Sequence, residues 1–184
     1  MSSPHHTLDL VIDFVNTLDI EAGTDTLSTE QDLLAWLAEM QLLATTSEPP
    51  SEADRLDAVR LREALRALML ANNGAGTPDE HAGRELERAA RRGELGVHFA
   101  PDGSVSLAPG ATGVRGALAR LLVPVADGLA DGSWSRAKAC RAPDCNWAFY
   151  DRSRNRSGVW CEMAVCGNRT KVRAYRDRSP REPR

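Results

Sequence analysis

The amino-acid sequence predicts a mainly α-helical protein in two parts: a helical N-terminal domain with one small β-hairpin, and a short C-terminal module that contains all four cysteines. The 184 residues, of which 42% are hydrophobic, suffice for one ordinary domain and a small appended module. Residues 1–135 carry 10 Lys and Arg against 21 Asp and Glu, a net charge of −11, whereas residues 136–184 carry 13 against 5, a net charge of +8. We therefore expect an acidic domain over residues 1–135 and a basic module over residues 136–184.

The N-terminal domain is predicted to consist of amphipathic helices. Residues 8–18 are predicted to form an opening apolar helix, and the next helix carries its apolar repeat as far as Ala44. This helix and the two that follow it are predicted to begin with a capping box, in which a Ser or Thr is followed three residues on by an acidic residue. The pairs are Thr29 with Asp32, Ser51 with Asp54, and Thr77 with Glu80.

The second half of this domain contains the predicted hairpin and a last helix. Pro78 suits the first turn of the helix after Thr77, and Gly93 suits its end. Apolar residues then alternate over residues 97–107 around Asp102 and Gly103, which predicts a β-hairpin.

A further apolar helical face runs over residues 114–129. Pro124 lies inside this segment, so we expect a bend or break there. Gly128, or the pair Asp131 and Gly132, is expected to end the helix.

Several functional classes are disfavoured by the sequence. It contains no nucleophile–base pair, no open metal site and no phosphate-binding loop, so we do not expect an enzyme. No apolar run approaches the roughly 18 residues of a membrane span. The N-terminus lacks a basic region followed by an apolar stretch, which predicts a cytoplasmic protein without an export signal.

The cysteines form two close pairs, Cys140 with Cys145 and Cys161 with Cys166, separated by fifteen residues. Two such pairs can bring four thiolates together around a tetrahedral Zn²⁺ ion, and an all-cysteine ligand set leaves no open position for catalysis. Two disulfides would be unusual in a reducing cytoplasm, and the spacing is unlike that of ferredoxin clusters. The sequence therefore predicts one structural Zn²⁺ ion.

The residues between the cysteine pairs predict the fold of the module. Aromatic residues alternate over residues 147–150, residues 151–158 are polar and basic, and residues 159–160 are apolar again. This pattern indicates a hairpin with a basic tip. A helix should follow, with Cys161 at the end of the strand and Cys166 in the first helical turn. The turn that carries Cys140 and Cys145 (the knuckle), the hairpin and the helix together give a treble-clef-like module. We expect removal of the metal by a chelator to unfold the chain beyond about residue 136.

The tetrapeptide Cys166, Gly167, Asn168 and Arg169 resembles the motif that names the CGNR zinc-finger family. Residues 10–17 are similar to the opening of the helical, ABATE-like domain that accompanies this finger. The resemblance implies a bacterial-type, stress-responsive transcription regulator whose finger binds DNA. One departure is Gly158 and Val159, which stand before Trp160 where the family pattern suggests a basic residue.

Basic residues of the module are the candidate nucleic-acid contacts: Arg152, Arg154, Arg156, Arg169, Lys171, Arg173 and Arg176. Arg169, Arg173 and Arg176 recur at helical spacing and so share one face, which could neutralise phosphates. Double-stranded DNA is the expected partner. RNA bound through the aromatic residues remains an alternative, as does an adaptor that docks on an acidic protein surface.

The N-terminal domain is expected to sense a ligand or to form a homodimer. Asn16 and Thr17 are polar residues within an apolar stretch, and they could line a ligand pocket. They could equally end the first helix through local side-chain hydrogen bonds.

Overall fold

The computed structural model describes residues 4–43, 48–77 and 80–178. Within these ranges the α-helices are α1 (Pro4–Val15), α2 (Glu30–Glu39), α3 (Glu52–Asn72), α4 (Glu80–Arg92), α5 (Gly113–Arg120), α6 (Leu122–Asp131) and α7 (Asn168–Arg178). The strands pair antiparallel in two-stranded sheets: β1 (Leu18–Asp19) with β2 (Thr24–Asp25), β3 (Leu95–Phe99) with β4 (Val105–Pro109), and β5 (Ala137–Ala139) with β6 (Ala148–Tyr150). The predicted mainly α-helical fold with a cysteine-rich module is confirmed. Across the described ranges, no helix is both long enough and apolar enough to cross a bilayer.

Helices α2 and α3 begin at the predicted capping boxes. The Thr29 hydroxyl accepts a hydrogen bond from the Asp32 amide at 3.2 Å, and the Asp32 carboxylate accepts one from the Thr29 amide at 2.9 Å. Ser51 and Asp54 make the same reciprocal pair. Each box satisfies amide groups that have no partner inside the helix. Helix α2 ends at Glu39, and Ala44 lies outside the described residues.

The predicted end of α4 and the hairpin after it are also confirmed. Gly93 directly follows α4, and a side chain there would collide with Ala119, so α4 and α5 approach each other through this glycine. The hairpin β3–β4 pairs Val97 with Leu107. Pro78 lies outside the described residues.

The break predicted within the helical segment over residues 114–129 is confirmed, because the segment forms two helices that meet at Leu121. Pro124 has no amide hydrogen, and its ring would clash with the carbonyl of Arg120, the last residue of α5. The break therefore falls before the proline, which sits in the first turn of α6. Gly132 has φ of 78° and ends α6, whereas Gly128 lies buried inside it.

The N-terminal domain contains a second hairpin, β1–β2, that the sequence analysis did not predict. Helix α1 ends at Val15 rather than at residue 18, and the Thr17 hydroxyl donates to the Phe14 carbonyl at 2.8 Å. Gly23, with φ of 68°, lies in the turn between the two strands. Strands of two residues are too short for alternation to reveal them.

Helix α3 lies at the centre of the molecule and packs against elements from both halves of the chain. The core cluster around it includes the rings of Phe14 and Trp36, which are tilted by 48° to each other with centroids 5.2 Å apart. Ala137, Ala139 and Ala148 of the β5–β6 hairpin belong to the same cluster. The hydrophobic core thus continues past residue 135, while a domain division at that residue stays a prediction.

Candidate metal centre

The four cysteine sulfurs converge to form a site for one metal ion. All four Sγ atoms lie within 4.8 Å of one another, with 3.6 Å from Cys145 to Cys161 and 3.7 Å from Cys161 to Cys166. Zinc–sulfur bonds of about 2.3 Å in a tetrahedron would place the sulfurs about 3.8 Å apart, whereas a disulfide needs about 2.0 Å. The cysteines are free, so the donor set fits one structural Zn²⁺ ion, as predicted.

The first cysteine pair lies in a knuckle between β5 and β6. The Cys140 amide donates to the Trp147 carbonyl at 2.9 Å, and the Cys145 amide donates to the Ala142 carbonyl at 2.9 Å. Asn146 adopts φ of 51°, the left-handed conformation that asparagine tolerates better than most residues. These hydrogen bonds bend the backbone so that the thiols of Cys140 and Cys145 both face the metal site.

The second pair comes from the segment before α7. Cys161 lies in a loop, and Cys166 lies in a single π-helical turn, Met163–Gly167, that leads directly into α7. The Cys166 amide donates to the Glu162 carbonyl at 3.0 Å. Cys166 therefore occupies the first helical turn, as predicted, but Cys161 does not end a strand.

Gly167 and Asn168 of the tetrapeptide shape this turn. A Cβ at Gly167 would lie 3.0 Å from Trp160 Cδ1 and would collide with the Met163 sulfur. The Asn168 side chain donates to the Ala164 carbonyl at 3.0 Å. Both residues support the turn that carries the preceding metal ligand, Cys166.

The predicted hairpin between residues 147–150 and 159–160 is wrong. Strand β6 pairs instead with β5, upstream of the first cysteine. The loop over residues 151–158 folds around a buried ammonium, since Lys138 Nζ donates to the Asp151 carboxylate at 2.7 Å and to the carbonyls of Arg156 and Gly158 at 2.6 and 3.0 Å. A Cβ at Gly158 would lie 2.9 Å from the Asp151 carboxylate. This close contact explains why residue 158 is a glycine where the family pattern suggests a basic residue.

The thiols of Cys145, Cys161 and Cys166 differ in acidity. Burial raises the pKa of Cys145 to about 11 and raises the pKa of Cys161 further. Burial also opposes ionisation of Cys166, but hydrogen bonds from Cys161, Cys145 and the Arg169 guanidinium outweigh it and lower its pKa. The Arg169 nitrogen lies 3.5 Å from the Cys166 sulfur. Metal binding must therefore displace the protons of Cys145 and Cys161.

The N-terminal helices hold the knuckle through buried polar side chains. Arg66, 3% exposed, donates to the carbonyls of Asn146 at 2.9 Å and Val15 at 2.7 Å. Asn73 donates to the carbonyls of Ala139 and Val159 at 2.8 and 2.7 Å. Sequence analysis missed these contacts, because their partners lie far apart along the chain.

Asn16 and Thr17, predicted as ligand contacts, have side chains bonded to protein groups. Asn16 donates to the carbonyl of Ala148 at 3.0 Å and accepts from its amide at 2.7 Å, so it ties α1 to β6. Thr17 is buried, and its hydroxyl accepts from Arg62 at 3.1 Å. The bond from Thr17 to Phe14 is the helix-ending interaction that the sequence left as the alternative.

The predicted nucleic-acid contacts fall into two groups. In the first group the side chains are exposed and form no ion pair with any described residue: Arg152, Arg154, Arg156, Lys171 and Arg176. In the second group, Arg169 and Arg173 are bound to carboxylates of Glu21 and Asp144, which the sequence analysis did not single out. Glu21 lies 148 residues before Arg169, so no local pattern could reveal that contact.

Two family models match the chain. Residues 8–132 match the ABATE model, described as "Putative stress-induced transcription regulator", and residues 136–179 match the CGNR zinc-finger model. No curated protein matches the chain significantly. Both matched families are of regulator and zinc-finger types, and together they span both parts of the molecule. The resemblance drawn from the sequence is confirmed: this chain belongs to the ABATE family and carries a CGNR zinc finger after its ABATE domain.

Proposed function

We propose that this zinc-binding regulator binds double-stranded DNA through the basic surface of its finger, formed by the loop over residues 151–158 and by α7. The proposal rests on exposed cations of this surface that have no ion-pair partner among the described residues: Arg152, Arg154, Arg156, Lys171 and Arg176. They belong to a segment of net charge +8 attached to a domain of net charge −11. A polyanion is therefore attracted to the basic C-terminal segment and repelled by the acidic domain.

The cysteine ligands supply the rigidity that this surface needs. Bound Zn²⁺ would cross-link the knuckle to the start of α7, so the loop and the helix would present their charges from a fixed frame. Each phosphate that a cation neutralises releases counterions, so affinity falls with salt at a logarithmic slope of about −0.9 per contact. These contacts position the protein on DNA, and sequence readout is not part of the proposal.

The test is fluorescence anisotropy of the zinc-loaded protein on mixed-sequence duplex DNA across a salt series. The double variant R152Q/R154Q should bind more weakly, with a salt slope shallower by about 2. The matched control is R84Q/R91Q, which removes two exposed arginines from α4 and should leave the slope unchanged. No binding by the wild-type protein at low salt would contradict the proposal.

A protein-interaction adaptor is the second candidate function. Apolar side chains beside the metal centre are exposed, with fractions of 36% for Trp147, 50% for Met163 and 46% for Val165. An exposed apolar patch rimmed by charge is typical of protein interfaces. Failure of DNA binding in the assay above would place this function first, and single-stranded RNA as a competitor would distinguish an RNA-binding role.

The ABATE domain is proposed to receive the signal. Asn16 links the end of α1 to the backbone of β6, so a ligand that moves α1 would move β6, the strand that directly follows the knuckle. This contact supports coupling between the domain and the finger without assigning a ligand.

A further inference from the structure

Two acidic residues occupy the arginine face of α7. Arg169 forms a bidentate pair with Glu21, with nitrogen–oxygen distances of 2.7 and 2.9 Å, and its Nη1 lies 3.5 Å from Asp144 Oδ2. Arg173 donates to that same oxygen of Asp144 at 2.9 Å. We call Glu21 and Asp144 the acidic clamp. It binds two of the three arginines that helical spacing predicts as phosphate contacts.

The clamp is presented by anchored parts of the molecule. Glu21 lies in the turn between β1 and β2, and Asp25 of β2 accepts two hydrogen bonds, of 2.7 and 2.9 Å, from the buried Arg62. Asp144 lies in the knuckle between Cys140 and Cys145. Because both carboxylates come from fixed elements, they meet the α7 arginines in a defined geometry rather than by chance encounter.

This geometry is that of phosphate recognition. A guanidinium fork binds a carboxylate and a phosphate through the same pair of parallel hydrogen bonds. The donors that Arg169 gives to Glu21 are therefore the donors that a phosphate would take. A nucleic acid that contacts Arg169 must first displace Glu21.

The clamp is also open to displacement. The Glu21 side chain is 50% exposed and the Arg169 side chain is 25% exposed, and ion pairs near the surface contribute little because water competes for both partners. Within the described part of the chain, Arg169 Nε and Asp144 Oδ1 are buried and have no hydrogen-bond partner. A network in which these two atoms lack partners is not fully satisfied, so exchange of its partners costs less.

We infer that the acidic clamp is an internal competitor for the nucleic acid, which holds Arg169 and Arg173 until phosphates replace the carboxylates. This inference rests on the proposed function and describes how DNA binding is regulated. The ABATE domain lowers the affinity of the finger for DNA through Glu21. Glu21 also lines a groove of about 310 Å³ beside the metal centre, together with Asp19 and Trp147. The carboxylate is thus accessible to solutes that could compete with Arg169 for it.

The test compares two isosteric variants of the zinc-loaded full chain, E21Q and E162Q. Each removes one negative charge from the same groove, but Glu162 forms no ion pair with a described residue. Binding to mixed-sequence duplex DNA is measured by anisotropy, and binding to a heparin column by the salt concentration at elution. E21Q should bind DNA about two- to fivefold more tightly than wild type and elute from heparin at higher salt. E162Q should show the smaller change due to net charge alone.

The heparin measurement allows failure of this inference to be distinguished from failure of the proposed DNA binding. If no form binds DNA but E21Q still elutes later than E162Q, the clamp stands and the DNA proposal fails. If E21Q and E162Q behave alike on both polyanions, the clamp does not compete and the inference is overturned. Loss of zinc from E21Q, measured by metal analysis, would also overturn it, because Glu21 would then be a structural support of the centre.

Discussion

At the scale of single residues, Lys138 and Asp151 form an ion pair inside the finger. Their side chains are 5% and 2% exposed, and the ammonium also donates to two carbonyls of the loop over residues 151–158. Burial raises the pKa of Asp151, but the Lys138 ammonium and hydrogen bonds from Ser153 and Gly158 outweigh it and hold that pKa well below its ordinary value. The pair fixes the loop that carries three of the candidate DNA contacts.

We predict that Asp151→Asn lowers the free energy of unfolding by about 3–5 kcal/mol, because it leaves the Lys138 ammonium buried without a counter-charge. Urea denaturation with saturating zinc measures this loss. Lys138→Met in the same background should recover part of it. A loss below about 1 kcal/mol would mean that the ammonium relaxes to solvent.

The same pair predicts a pH dependence. Since the pKa of Asp151 is lower in the folded state than its unfolded value of about 3.9, its contribution is fully present above that value and is lost as pH falls further. The stability difference between wild type and Asp151→Asn should therefore be constant near neutral pH and shrink below about pH 4. Sequence reasoning missed this pair, because neither residue belongs to a recognisable motif.

At the scale of secondary-structure elements, the π-helical turn Met163–Gly167 positions the last metal ligand. We predict that Gly167→Ala weakens zinc binding by about 10–100-fold, because the added Cβ would push against Trp160 and move Cys166 with the turn. Competition with a chromogenic chelator measures the affinity. Gly83→Ala, where a Cβ meets nothing within 4 Å, is the matched control. Equal affinity of wild type and Gly167→Ala would show that the turn adapts.

Elements were predictable where their signal was local. The capping boxes of α2 and α3 and the β3–β4 hairpin each depend on residues close together in sequence, and all were found. The partner of β6 was predicted wrongly, because alternation over residues 147–150 identifies a strand but not the strand it pairs with. Pro124 was recognised as a helix breaker, yet its effect falls on the carbonyl of Arg120 rather than at the proline itself.

At the scale of the whole molecule, the cysteine spacing predicted the metal site, and the charge division predicts two parts. What they could not predict is how the parts contact each other. The bonds from Asn16 to Ala148 and from Arg169 to Glu21 join residues 132 and 148 positions apart. Long-range contacts of this kind depend on the assembled core around α3, and periodicity within a short segment carries no information about them.

We expect zinc, more than apolar burial, to hold the finger together. Among the described residues, the cysteine cluster buries Cys140, Ala142, Cys145 and Cys166, with Trp160 and Cys161 packed against them, whereas residues of β5 and β6 belong to the main core. Metal binding supplies about 10–16 kcal/mol in comparable modules. Chelation should therefore release the knuckle and the segment from about residue 159 onward, and leave β5 with the N-terminal helices.

Hydrogen exchange of the full chain before and after chelation measures whether zinc has this role. We expect amide protection to be lost in the knuckle, in the turn Met163–Gly167 and in α7, while α1 and α3 keep theirs. Unchanged protection around Cys140 and Cys166 after complete metal removal would contradict it, because packing alone would then hold the finger.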